Sequence, residues 1–133
     1  MSLDIRTTLD PAPFVKGAGR LQFEAIAEKT LGKKYELSLV ICGDELAQKM
    51  NREYRKKTYK PNVLSFPLSK NEGEIFLNVR CAERESRKFN VPLKERLALL
   101  FVHGCLHLKG LDHGKKMEAE ERRLLKQFKF QHP

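Results

Sequence analysis

The sequence contains no hydrophobic run long enough to cross a bilayer. The longest, Leu97 to Val102, is six residues, against the ~20 that a spanning helix needs. It has no closely spaced cysteine pair either. Cys42, Cys81 and Cys105 are odd in number and scattered, which argues against a disulfide framework and predicts reduced, buried thiols. Met1-Ser2-Leu3-Asp4 offers neither a basic start nor an apolar stretch, so no signal peptide is expected. No repeat, linker or low-complexity stretch divides the chain. A length of 133 residues fits one domain, 1–133, and 41% hydrophobic residues suffice for a modest core. The expectation is a soluble, cytoplasmic protein without membrane association.

Acidic residues are also in short supply. Lys and Arg outnumber Asp and Glu by 26 to 17, a net charge of +9. Such a balance suits a polyanion, because neutralising phosphates releases condensed counterions. A solvated basic surface without a partner has the same composition, and charge alone does not choose between them.

Pattern reading predicts a short strand near Leu3–Thr7 and a helix from about Pro11 to Leu31. The helix rests on Phe14, Ala18, Leu21, Ala25 and Ala27, with Gly32 at its stop. Tyr35, Leu37, Leu39 and Ile41 alternate as in a strand. Asp44 then caps a helix running to about Tyr54. Two short strands follow, Val63–Phe66 stopped by Pro67 and Glu74–Leu77 introduced by Gly73, with Asn71 and Gly73 marking the turn. A helix covers roughly Arg80–Phe89. The next starts with Pro92 as its first residue and is closed by Gly110. The last runs from about Lys115 to Phe130 with Met117, Leu124, Leu125 and Phe128 as its apolar stripe, and Glu118, Glu120 and Glu121 on its solvated face. The fold class expected is α+β: a small mixed sheet of about four strands packed with about five helices.

Three of the four histidines fall within eleven residues, in Phe101-Val-His103-Gly-Cys-Leu-His107-Leu-Lys-Gly110-Leu-Asp112-His113. On a helix, His103 and His107 lie one turn apart on one face. Gly110 lets the chain leave the helix and bring His113 back toward them. The helix is strongly apolar, and paired imidazoles on a buried helix need partners. Three imidazoles with a position left open describe a catalytic metal site at the end of a buried central helix, zinc being the favoured ion and nickel or another divalent ion a further candidate. Cys105 lies two residues from each histidine and faces away. The site is no zincin protease, since Gly104 stands where that motif carries its glutamate. Asp112 either holds an imidazole N–H or shapes the turn. Ser65 either donates a hydrogen bond near the metal or serves a strand end, and His132 is an ordinary terminal residue.

Arg52, Arg55, Lys56, Lys57 and Lys60 place five positive charges in nine residues, with Tyr54 and Tyr59 among them. Basic side chains interleaved with aromatics suit phosphates and stacked, unpaired bases, although a basic loop can equally be just solvated. At this point three blocks combine. His103-Gly-x-Leu-His107-Leu-x-Gly110-Leu-Asp112-His113 closely resembles the signature of the YbeY family, bacterial metal-dependent endoribonucleases of ribosomal RNA maturation. Asn51-x-x-Tyr54-Arg55-x-Lys57 followed by Asn62-Val63-Leu64-Ser65-Phe66-Pro67 is a second matching block, and Gly73-Glu74-Ile75-Phe76 a third. The blocks keep the family's order over residues 46–114. Thr58-Tyr59-Lys60-Pro61, Leu111 and Glu74 depart from the usual pattern.

The resemblance implies single-strand-specific endonucleolytic cleavage of RNA in 16S ribosomal RNA 3′-end processing and ribosome quality control. It implies ribosomal RNA and small-subunit proteins as partners. His103, His107 and His113 would be the metal ligands and Arg55 the catalytic arginine, with Arg55, Lys56 and Lys57 contacting RNA. A non-catalytic ribosome-assembly or RNA-binding factor with a structural metal is the competing expectation.

Overall fold

The computed structural model describes residues 1–9 and 18–130. Phe14 and the expected first turns of the opening helix lie outside these, as does His132. The elements run β1 (Ser2–Thr7), α1 (Ala18–Leu31), β2 (Glu36–Cys42), α2 (Asp44–Arg55), β3 (Val63–Ser69), β4 (Glu72–Asn78), α3 (Val79–Phe89), α4 (Leu93–Lys109) and α5 (Lys115–Gln127). This is the expected α+β arrangement. The sheet order is β1-β2-β4-β3. β1 and β4 flank β2 in parallel, while β3 runs antiparallel to β4 and forms an edge.

Side-chain alternation divides the core. Leu37, Leu39, Ile41, Ile75 and Leu77 face the large cluster shared with α1, α4 and α5. Val40, Cys42, Phe76 and Leu64 face the opposite side, where α2 adds Ala47, Leu46 and Met50. This is the period-2 behaviour of strands buried on both faces. α4 is the centre of the large layer, with Leu97, Ala98, Leu100, Phe101, Val102, Cys105 and Leu106 all buried. Burying one such large side chain contributes roughly 1.5–3 kcal/mol. The cysteines are free, Cys42 and Cys105 being buried. Burial pushes the Cys42 thiol up to about 12. Among the described residues no helix is long and apolar enough to cross a membrane.

Several local expectations are corrected. The buried face of α1 is Phe23, Ile26, Ala27 and Thr30 at i, i+3, i+4 and i+7, while Leu21 is 68% exposed. Asp44 is the first residue of α2 rather than its cap. The cap position is Gly43 and no side chain bonds there. The Asp44 carboxylate instead accepts from Arg84 at 2.7 Å and from Asn78 at 3.0 Å, and the Arg84 contact lowers its pKa to about 2. Pro67 does not stop β3. The strand continues to Ser69 with a register shift between Pro67 and Ser69, which an edge strand tolerates because its outer N–H groups have no ladder to join. Pro92 caps α4 from just outside the helix.

Gly73 is a strand residue paired with Leu37 and Pro67, not part of the turn. A Cβ there would overlap the Tyr35 hydroxyl and press on Leu108 at 3.0 Å. That hydroxyl is buried with no hydrogen-bond partner among the described residues, and burial raises its pKa. Gly73→Ala should therefore lower stability by about 1–3 kcal/mol. Removing the offending oxygen in Gly73→Ala/Tyr35→Phe should recover part of the loss, read as a positive coupling in urea unfolding of the four variants. Additive effects would mean that the hydroxyl is not what excludes a side chain.

Candidate metal centre

α4 carries His103 and His107 on its final turns, on the edge of an otherwise apolar helix. Its end is built by Gly110, whose φ of +105° is open to glycine. Gly110 N–H donates to the His107 carbonyl and Leu111 N–H to the Leu106 carbonyl, each at 3.0 Å. This pair of bonds reverses the chain as in a Schellman turn. The reversal delivers His113 to the other two. Ring centroids are 4.7 Å apart for His103–His107, 4.9 Å for His103–His113 and 4.7 Å for His107–His113. One nitrogen from each ring lies within 4.8 Å of the others, a group able to hold a metal ion.

The outer ring nitrogens are occupied by acceptors. His107 Nδ1 donates to the Leu111 carbonyl at 3.0 Å, so the turn that places His113 also orients His107. His103 Nδ1 donates to Glu121 Oε1 at 2.5 Å. A carboxylate or carbonyl can only accept, so both Nδ1 atoms carry the hydrogen. The lone pairs of the two Nε2 atoms then face each other across 3.1 Å. In the neutral rings these lone pairs repel, and a metal ion, or a proton shared between the two nitrogens, relieves the conflict. The donor set is thus suited to a borderline ion that takes imidazole nitrogen.

Glu121 was expected on the solvated face of the last helix and is instead 7% exposed. Its signal was present in the sequence: Met117, Glu121, Leu124 and Leu125 share the spacing of one helix face. A carboxylate in an apolar stripe calls for a buried partner, which His103 supplies. Among the described residues Asp112 takes no imidazole hydrogen, and the Leu111 carbonyl accepts that of His107. Ser65 Oγ donates to the Gly104 carbonyl at 2.8 Å, fastening β3 to α4 rather than pointing a free hydroxyl at the histidines. Gly104 lies in tight packing against the sheet. A Cβ there would stand 3.2 Å from Ile75 Cδ1, Ser65 Oγ and Val63 Cγ2, so α4 faces the sheet where a zincin carries its glutamate.

The histidines line a cavity of about 560 Å³ together with Arg55, Tyr59, Asn62, Ser65 and Asp112. Arg55 ends α2, and Lys56 follows in the left-handed region with φ of 58°. The structure therefore brings Arg55 to the histidines. Lys56 and Lys57 are exposed and are not among the residues lining the cavity.

The sequence profile of the family described as endoribonuclease YbeY matches residues 9–129. The chain belongs to the YbeY family. The endoribonuclease YbeY of Thiobacillus denitrificans is 34% identical over 134 aligned residues, covering 90% of this chain and 91% of that protein. The endoribonuclease YbeY of Mesoplasma florum is 40% identical over 102 residues, 68% of this chain but only 60% of that protein, less than two thirds of its length. In three dimensions the chain is similar to the solution structure of TM1509 from Thermotoga maritima. The TM-score is 0.70 at 22% identity, with 95% of this chain and 88% of that one covered. That likeness speaks for the fold.

In the metal-free protein, burial lowers the pKa of His107 below the ordinary 6.5, and the neighbouring His103 and His113 lower it further. Near that pH the folded chain holds fewer protons at His107 than the unfolded chain. Its contribution to stability is full above pH 6.5 and is lost as pH falls through the window down to the depressed value. An NMR titration of the ring nitrogens should find His107 protonating later than a free histidine as the solution is acidified. A midpoint at or above 6.5 would contradict this.

Proposed function

We propose that this protein is a metal-dependent endoribonuclease that cleaves single-stranded RNA. We assign it to the cytoplasm, with 16S ribosomal RNA near its 3′ end as substrate, small-subunit proteins as partners, and roles in ribosomal RNA maturation and quality control. Endonucleolytic hydrolysis of RNA is the activity named for the family to which the chain belongs. The observation that carries the reading is that three imidazoles able to hold a metal and one arginine line the same cavity.

His103, His107 and His113 would hold one divalent ion, zinc by the preference of imidazole ligands, with nickel the nearest alternative. Such an ion supplies Lewis-acid polarisation of a phosphoryl oxygen and a water of lowered pKa. The chain's own residues do the rest. Glu121 and the Leu111 carbonyl accept from the Nδ1 atoms of His103 and His107, so Nε2 would be the ligating atom on these two rings. Arg55 presents a planar fork suited to phosphodiester oxygens whose charge grows during hydrolysis. Lys56 and Lys57, outside the cavity, would hold flanking phosphates.

Alanine at His103, His107 or His113 should remove most of about one equivalent of zinc per chain, measured by elemental analysis after gel filtration. Glu121→Ala keeps three ligands and should bind zinc roughly 10–100-fold more weakly in a chelator competition. Stoichiometric zinc retained in all three histidine variants would eliminate the site.

Arg55→Ala separates catalysis from holding. At saturating zinc-loaded enzyme, single-turnover cleavage of a single-stranded RNA should slow by about a hundredfold to a thousandfold, with folding and zinc content unchanged. A wild-type rate at saturation would remove Arg55 from the chemistry. A wild-type protein that holds zinc, binds the RNA and never cuts would overturn the nuclease reading.

A further inference from the structure

We propose that Tyr59 is a stacking platform for the unpaired nucleobase beside the phosphate engaged by Arg55, and that this contact sets the preference for single-stranded RNA. The proposal rests on the endoribonuclease reading above and adds a subsite to it.

Tyr59 lines the same cavity as Arg55 and the three histidines, and 53% of its surface is exposed. Its side chain makes no hydrogen bond or ring contact among the described residues. The backbone beneath it is held with unusual completeness. Gln48 Nε2 donates to the Thr58 carbonyl at 2.8 Å and Asn51 Nδ2 to the Tyr59 carbonyl at 3.0 Å. Further along, Asn78 donates through Nδ2 to the Pro61 carbonyl at 3.0 Å and through its backbone N–H to the Asn62 carbonyl at 2.9 Å. Asn51 and Asn78 are themselves fully buried. A loop of irregular backbone is thereby fixed at four carbonyls, and the ring it carries has little backbone freedom left to lose on binding.

The chemistry of the surroundings selects the ligand. Arg55, Lys57 and Lys60 offer charge to a phosphodiester backbone, while Tyr59 offers a flat apolar face with no charge. A base in a duplex has both faces occupied by its neighbours and cannot meet that ring, whereas an unstacked base can. The other exposed tyrosine, Tyr54, rests its edge on Phe66 at 5.7 Å between centroids and does not line the cavity. Tyr59 is therefore the ring placed beside the reacting phosphate.

The chain has no tryptophan, and of its three tyrosines Tyr35 is buried, so tyrosine emission can report the contact directly. The probe is a single-stranded 2′-O-methyl oligoribonucleotide, with a hairpin duplex of the same composition as its control. Wild-type, zinc-loaded full chain should show emission quenched by the single strand. Tyr59→Phe should lose that quenching but keep affinity, because the ring remains. Tyr59→Ala should bind about five- to a hundredfold more weakly and lose most of its preference over the hairpin. With a cleavable RNA carrying one abasic ribose next to the mapped cut, wild type and Tyr59→Ala should cut at equal rates.

Quenching that survives in Tyr59→Phe, or a Tyr59→Ala protein with unchanged affinity and single-strand preference, would overturn the subsite. Failure of the parent reading looks different. A wild type that binds and quenches without ever cutting refutes the nuclease and leaves the stacking contact standing. Absence of any binding refutes both.

Discussion

The histidine cluster depends on how closely α4 lies against the sheet. The approach is set at Gly104, where Ile75, Val63 and Ser65 leave no comfortable room for even a methyl group. The hydrogen bond from Ser65 to the Gly104 carbonyl holds the contact from the strand side. With that face against β3 and β4, His103 and His107 are turned to the edge of the layer, beside the Asn62–Ser65 stretch of the cavity wall. Helix packing of this kind is rigid because interiors are close-packed, so the imidazoles inherit the rigidity of the core.

From that contact the remaining parts follow in sequence. The turn at Gly110 both closes the helix and supplies the carbonyl that orients His107. α5 packs against α4 through Met117, Leu124 and Leu125 and thereby places Glu121 against His103. Across the sheet edge, Asn78 ties together β4, α3, α2 and the loop before β3, and that loop carries Tyr59. Arg84 on Asp44 and Arg96 on Glu85 complete the bracing, the latter at 2.8 Å with both side chains largely buried. These two arginines are spent on carboxylates that brace the fold, whereas Arg55 at the end of α2 lines the cavity.

Much of this was legible in the sequence where the signal is local. The spacing of His103 and His107, the glycine at 110 and the alternation of Tyr35 to Ile41 each encode their geometry within a few residues. The parts that were not legible are those decided by tertiary contacts. Nothing near Leu21 reveals that the face bearing Phe23 and Ile26 is the one that meets Phe101, 4.6 Å away between centroids for the Phe23 ring. Asp44 reads as a cap until Arg84, forty residues on, is seen to claim it. Gly73 reads as a turn because its true constraint, the Tyr35 hydroxyl, is distant in sequence. Glu121 was readable from its place in an apolar stripe, but a charge run on a helix ordinarily faces water, and that general tendency hid the exception.

Pro67 and the irregularity after it acquire a meaning from where β3 sits. The edge of a sheet is an invitation to any extended chain with free backbone groups, and this edge borders the cavity that β3 helps to wall. A proline withholds one donor from that invitation, and the register shift bends the ladder beyond it. A second extended peptide therefore meets an incomplete ladder along β3, on the strand that helps to wall the cavity, and strand-to-strand association at this edge is disfavoured.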